Sequence, residues 1–239
     1  MILSRLSDGV NALTEIAEDC KLSKSTVHRL LRALEESRLV MQDPANHRYY
    51  LGPLITRLTS NPETTHEYLI TCAIGEMTRL SDILGETVNI CVMPALQHVI
   101  VYEIPSQHDL KVTEENRKLG SLYAGAAVKV LWSQFSDEQL KIIMKNITID
   151  AYTDLTVTDK TVLLKQIKKV RRQGYAVSYG EKIPGATGMA APVLGYLHPA
   201  ALSIIGPDTR IRPRVDSFVN EVVASARKIS VSVADIYKR

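Results

Sequence analysis

The sequence predicts an α+β protein in parts: an N-terminal winged helix-turn-helix, a linker helix, and a larger α+β domain with helices packed on an antiparallel sheet. Three observations predict it. Two amphipathic stretches separated by a tight turn fall within the first forty residues, and a short strand–turn–strand pattern follows them. A break at Asn61-Pro62 precedes a long apolar repeat at helical spacing. Beyond it, β-branched runs alternate with amphipathic segments. The boundaries fall at 1–60, 61–84 and 85–239.

The first helix of the pair is Leu13 to Cys20, with Leu13, Ile16 and Ala17 on one face and Thr14 or Asn11 as its cap. Lys21-Leu22-Ser23 is the turn, and the Ser23 hydroxyl suits the N-cap of a second helix running to about Ser37. Val27, Leu30, Leu31 and Leu34 follow the i, i+3, i+4, i+7 rule on that helix. Its other face carries Lys24, Ser25, Thr26, His28, Arg29 and Arg32. Leu39-Val40-Met41 and Arg48 to Leu51 read as strands around a turn at Asp43-Pro44-Ala45-Asn46.

This arrangement suits double-stranded DNA, because a helix enters the major groove and its first-turn side chains reach base edges. Ser25, Thr26, His28 and Arg29 are base-edge or phosphate candidates, and Lys24, Arg32 and Arg48 are phosphate candidates. The wing tip, with Asn46, His47 and Arg48, is placed to touch phosphate or the minor groove. Against this stands the plain alternative of a solvated charged face. Residues 1–60 hold eight Lys/Arg and seven Asp/Glu, a net of only +1. The cations, however, gather on the second helix and wing, while the acids lie mainly on the preceding helix and at Glu35-Glu36.

In the remainder, Ile70, Ala73, Ile74, Met77, Leu80 and Leu84 recur at helical spacing between about Glu63 and a stop at Gly85, giving a helix that joins the domains and helps pair subunits. Thr87 to Met93 and His98 to Ile104 form a hairpin around Pro94 to Gln97. A helix from about Tyr123 to Phe135 comes next, then one opened by the capping box Ser136-Asp137-Glu138-Gln139. A third opens at Thr158, turns Leu163, Leu164, Ile167 and Val170 inward and closes at Gly174. Strands are expected at Tyr175–Tyr179, Ala190–Leu194 and Ala200–Ile205, and a last helix from Pro213.

Composition and motifs exclude several classes. With 45% hydrophobic and 23% charged residues, the 239-residue chain can bury a real core. A net charge of +3 excludes a polybasic tail protein and an acidic solvating chain. No run of about 18 apolar residues predicts a membrane span. Cys20, Cys72 and Cys91 are odd in number and far apart, which argues against a disulfide framework and suits a reducing cytoplasm. Met1 to Val10 lacks the pattern of a signal peptide. No nucleophile elbow, P-loop, His-Glu-x-x-His or Cys-x-x-Cys occurs, so neither a catalytic residue, a metal ligand nor a cofactor is assigned. The six histidines are scattered, and Cys91 lies in an apolar run where it packs as a small hydrophobe. Gly180-Glu181 and Gly185-Ala186-Thr187-Gly188 form either an anion-cradling loop or a plain turn.

The run Leu13-Thr14-Glu15-Ile16-Ala17, then Leu22-Ser23-Lys24-Ser25-Thr26-Val27-His28-Arg29-Leu30-Leu31, and Arg48-Tyr49-Tyr50-Leu51-Gly52 after the wing resemble the DNA-binding domain of IclR-type transcriptional regulators. That family's first helix is usually preceded by several residues, and here only Met1 to Leu6 represent it. The larger domain resembles the family too, through Arg171 to Ala176, Glu181, Gly185, Ala190-Ala191-Pro192-Val193, Ser203 to Pro207 and Ala226-x-x-Ile229-Ser230. The resemblance implies a GAF-like effector-binding domain. It implies a pocket formed by Ala126, Ala127 and Val128, by the loop from Ser178 through Ala186, Thr187 and Gly188, and by the strand carrying Ser203 and Ile205, with Leu110 at its mouth. The amides at 126–128 suit a carboxylate. Where the family often has a His or Thr, this chain reads Tyr123-Ala124-Gly125-Ala126-Ala127-Val128-Lys129, and an often acidic position is Ser178. Fewer fixed charges, with Tyr123, Tyr175 and Tyr179 nearby, point to an effector less polar than glyoxylate-like acids, an aromatic acid among them.

The leading expectation is therefore a cytoplasmic, ligand-responsive regulator of a catabolic operon, a repressor that is not an enzyme. It would bind a palindromic operator as a homodimer or homotetramer and take a small organic acid as effector. The rivals are a GAF-like thiol-dependent enzyme using Cys91 and a module whose winged helix contacts protein.

Overall fold

The computed structural model describes residues 1–59, 66–113 and 120–237, and the chain divides into two units, Met1–Thr65 and His66–Arg239. The break at Asn61-Pro62 and the expected helix start near Glu63 lie outside the described residues.

The smaller unit runs α1 (Ile2–Ser7), α2 (Leu13–Cys20), α3 (Lys24–Glu36), β1 (Val40–Gln42), β2 (Tyr49–Leu51) and α4 (Pro53–Thr59). α3 starts where the Ser23 hydroxyl accepts from the Thr26 amide at 3.2 Å. That bond satisfies one of the orphan donors of a helix start. Ser23→Ala is accordingly expected to cost about 1 kcal/mol of stability, read from denaturant unfolding. α2 is built differently: neither Thr14 nor Asn11 caps it, Ala12 holds the N-cap without a side-chain bond, and Asn11 Oδ1 instead accepts from Arg48 Nη1. The turn into α3 passes through Lys21 at φ 54°. Ile2, Leu6, Ile16, Ala17, Val27, Leu31, Val40 and Tyr49 form one core, to which α1, α2, α3, β1 and β2 each contribute. Leu30, placed on the apolar stripe by spacing, is 40% exposed. β1 and β2 pair antiparallel, Val40 opposite Leu51, which makes the wing.

The larger unit begins with α5 (Glu67–Leu84), then β3 (Thr87–Val92), a short 3-10 turn (Pro94–Leu96) and β4 (Val99–Ile104). After residue 120 come α6 (Ala126–Ser133), α7 (Asp137–Asn146), α8 (Lys160–Gln173), β5 (Ala176–Tyr179), β6 (Ala186–Val193), β7 (Ala200–Pro207), α9 (Asp208–Ile211), a 3-10 turn (Arg212–Arg214) and α10 (Val215–Tyr237). The five strands form one antiparallel sheet in the order β4-β3-β7-β6-β5. Alternation divides its side chains between two layers. Ala200, Leu202 and Ile204 of β7 join the core beneath α5 and α10, with Leu69, Met77, Leu80, Phe218 and Ile229. Ala201, Cys91 and Ala190 join a second core beneath α6, α7 and α8, with Leu131, Leu140, Leu163 and Ile167. The sheet is thus covered on both faces, which explains why β3 is buried at every position.

Several boundaries differ from expectation. α6 starts at Ala126, not Tyr123, because Gly125 before it has φ 105°, outside the helical region. α8 starts at Lys160 and is capped by the Asp159 carboxylate, which accepts from the Thr161 and Val162 amides, not by Thr158. β6 begins at Ala186, so Ala186-Thr187-Gly188 are strand and not loop. Its Ala/Gly-rich sequence holds only two β-branched residues, Thr187 and Val193, and pairing with β5 and β7 on both sides overrides that weak propensity. Pro213 lies in the 3-10 turn ahead of α10, one residue pair before the helix proper. The capping box at Ser136 and Gln139 forms as expected. No helix among the described residues is long and apolar enough to cross a membrane.

Candidate functional site

In the smaller unit, Ser25, His28, Arg29 and Arg32 form an i, i+3, i+4, i+7 stripe on the exposed face of α3, opposite the buried Val27 and Leu31. Lys24 stands exposed at the first helical position. Among the described residues Lys24, Arg29 and Arg32 make no ion pair, so their charges face outward uncompensated. Thr26 belongs elsewhere: it is half-buried, and its hydroxyl lies 2.8 Å from the Ser23 hydroxyl, inside the cap. The wing is held by short-range bonds. Asp43 Oδ1 accepts from the Ala45 amide at 2.8 Å, Asn46 Oδ1 accepts from the Arg48 amide at 2.8 Å, and Gln42 Nε2 donates to the His47 carbonyl at 3.0 Å. His47 sits at the tip with φ 55°, and Arg48 is exposed but tethered to Asn11.

In the larger unit a cavity of about 70 Å³ lies between the α6 side of the sheet and the start of α6. At roughly 10–15 Å³ per water it has room for about five to seven waters, the size of a compact small molecule. Of the ten expected positions, Ala126, Ala127, Ser178, Ala186, Gly188, Ser203 and Ile205 line it. Val128 is buried in the helical core, Thr187 turns its hydroxyl to Asp208, and Leu110 is 70% exposed with its carbonyl accepting from Arg210, so these three do not line it. Asn89, Cys91, His98, Ile100, Ser121, Glu181, Lys182 and Ile183 line it as well. The period-2 pattern of β3 held a signal for two of them, since Asn89 and Cys91 share with Thr87 the face opposite Val88, Ile90 and Val92.

The polar chemistry of this cavity is specific. Ser178 and Ser203 are buried, and among the described residues neither hydroxyl has a hydrogen-bond partner. Neither hydroxyl is fully enclosed, so each opens on the cavity, where water or a ligand group can pair with it. Beside them Lys129 and Glu181 form a buried ion pair, and the other oxygen of Glu181 accepts from the Gly125 amide at 3.3 Å. The amides of Ala126 and Ala127 open α6, where the helix dipole favours an anion.

The three tyrosines are not part of the wall. Tyr123 packs on Tyr152 and takes the Asp150 amide on its hydroxyl, Tyr175 packs against the α5/α10 core, and Tyr179 lies under the Arg212 guanidinium. Burial pushes the Cys91 thiol up to about 12, so it holds no thiolate at neutral pH and the thiol-enzyme reading loses its nucleophile. Among the described residues no cluster of His, Cys, Asp and Glu is arranged to hold a metal.

Two family models match this chain: residues 1–44 match the IclR helix-turn-helix domain, and residues 63–231 match the bacterial transcriptional regulator IclR C-terminal domain. Among curated proteins it is 26% identical to the HTH-type transcriptional regulator BhcR of Paracoccus denitrificans, over 97% of this chain and 84% of that one. Among solved structures, the C-terminal domain of the Escherichia coli transcriptional regulator KdgR is 28% identical with a TM-score of 0.61, covering 70% of this chain and 99% of that one. An IclR homolog from Microbacterium hydrocarbonoxydans, complexed with 4-hydroxybenzoate, shares the fold at 20% identity and a TM-score of 0.64, with 97% of each chain covered.

Proposed function

This chain belongs to the IclR family of transcriptional regulators, and from that premise we propose that it binds a palindromic operator of a catabolic operon and responds to a small organic acid held in the cavity beside α6. The reader is the α3 stripe of Ser25, His28, Arg29 and Arg32, with Lys24, His47 and Arg48 on phosphate and Thr26 fixing the helix start. Reading a palindrome takes two copies, so the working species is a homodimer or homotetramer, paired through the segment 61–84, and it works in the cytoplasm as a repressor. The observation that carries the effector half is the pair of unpartnered hydroxyls of Ser178 and Ser203 that open on a cavity also meeting the start of α6. A carboxylate accepts from such hydroxyls and from the free amides of Ala126 and Ala127.

The cavity walls refine the choice of acid. They mix aliphatic side chains with Asn89, His98, Ser121, Ser178, Ser203, Glu181 and Lys182, and hold none of the three tyrosines. Among the described lining residues the one ring is the His98 imidazole, so stacking is limited to that side chain, and the volume favours a compact acid. Thermal melts of the full chain with a panel of aliphatic and aromatic acids test this. Compact acids are expected to stabilise, by about 2.7 kcal/mol at a hundredfold excess over Kd, and Ser203→Ala is expected to remove most of that gain. Stabilisation by aromatic acids alone contradicts the size argument, and none by any acid contradicts the effector reading. Selection from random duplexes tests the reader: a palindrome supports it, and no enrichment refutes it.

A further inference from the structure

The two ends of the cavity floor differ in what they offer a ligand. Strand pairing lays the floor out. Ser178 of β5 stands opposite Gly188 of β6, and a Cβ added at Gly188 would lie 4.0 Å from that of Ala126, so the start of α6 covers this end. Two strands away in the sheet, Asn89 of β3 is paired directly with Ser203 of β7, and both side chains line the cavity. Directly paired residues stand about 4.5–5.5 Å apart at Cβ, so Asn89 and Ser203 are neighbours on one polar strip.

The serines and the α6 amides supply donors. The Asn89 end is built the other way. The Asn89 amide nitrogen donates to Glu103 Oε2 at 2.7 Å and to the Val88 carbonyl at 3.2 Å. That spends both of its hydrogens, so the capacity left to Asn89 is its side-chain oxygen, an acceptor. Among the described residues nothing donates to that oxygen. Two further donors on the same side are committed. The Cys91 thiol donates to the Ala201 carbonyl at 3.4 Å, and His98 Nδ1 donates to the Ser121 carbonyl at 2.9 Å. A ligand that carries only a carboxylate therefore leaves the Asn89 oxygen to water, and one that displaces this water without donating in its place loses affinity.

We propose that the ligand of this cavity is a compact hydroxy acid, with its carboxylate at the Ser178 and α6 end and its hydroxyl donating to the Asn89 side-chain oxygen. The proposal rests on the effector reading above and adds a second functional group to it. Asn89 selects the ligand, and Glu103 fixes which end of the amide Asn89 presents. An oxo group in place of the hydroxyl sets two acceptors against each other. An ammonium brings three N–H donors to a single acceptor and gives up its hydration to do so.

The test is isothermal titration calorimetry of the full chain with 2-, 3- and 4-hydroxybutyrate, each against butyrate and against its own oxo and amino analogues. The expected result is a hydroxy acid that binds at least tenfold more tightly than butyrate and than both analogues, because a site built to bond a hydroxyl rejects the ligand that lacks it. In Asn89→Leu, which nearly keeps the volume and removes the acceptor, the ratio of hydroxy acid to butyrate is expected to fall to about twofold or less. A purely structural role for Asn89 weakens every acid alike and leaves the ratio intact, and that outcome overturns the proposal. The comparison among ligands on the unsubstituted protein needs no variant to fold. Equal binding of butyrate and the hydroxy acids, or tightest binding of an oxo or amino analogue, overturns the hydroxyl and leaves the effector reading in place. Binding of none of these acids overturns both.

Discussion

Lys129→Met is expected to destabilise the larger unit by about 3–5 kcal/mol, the cost of leaving one partner of a buried ion pair alone. Lys129 and Glu181 are both nearly inaccessible, and among the described residues the carboxylate has two donors, the Lys129 ammonium and the Gly125 amide. Methionine keeps the volume of the lysine stem but supplies no charge, so Glu181 stays buried with a single amide for company. The double variant Lys129→Met/Glu181→Gln removes both charges, and it is expected to recover most of the loss. Denaturant unfolding of the two variants measures the coupling. Equal stability of single and double variants would sink the account, because it would mean that the stranded carboxylate costs nothing.

Arg29→Ala is expected to weaken operator binding by about 1–3 kcal/mol per subunit, the range for a good base-edge contact, while leaving the melting temperature unchanged. Arg29 is exposed on the α3 stripe and forms no ion pair among the described residues, so folding loses nothing when the guanidinium goes. In a dimer the loss occurs at both half-sites. Mobility shifts on the selected operator provide the readout. Affinity equal to that of the parent protein removes Arg29 from the reading face. Thr26→Ala offers a contrast: its hydroxyl sits in the Ser23 cap, so stability falls along with affinity.

How much was legible in the residues depended on whether a rule is local. The α3 start and the α7 capping box were readable because Ser23, Ser136 and Gln139 act on amides three residues away. The α3 stripe followed from helical spacing alone. The start of β6 was not legible, because Ala186 to Gly188 become strand only through neighbours distant in sequence. The cavity was partly legible: family resemblance pointed to Ser178, Ser203 and the α6 start. It did not single out Asn89, whose place on the wall depends on how β3 and the turn after β5 are brought together. Spacing misplaced Leu30, since helical periodicity says which residues share a face but not how wide the covering layer is.

β7 has one backbone and two audiences. Ser203 faces the cavity, and the next residue, Ile204, is fully buried against the layer of α5 and α10. Close packing leaves no slack in that layer. A shift of Ser203 along the strand axis therefore reaches Ile204 undiminished, and with it the core formed by α5, the helix that follows directly on residues 60–65. Any free energy an acid spends in moving Ser203 is charged to both sides of the sheet. The proposed effector role thus carries a reciprocal: if acid binding in the cavity stiffens α5, a contact that stiffens α5 tightens the acid by the same factor.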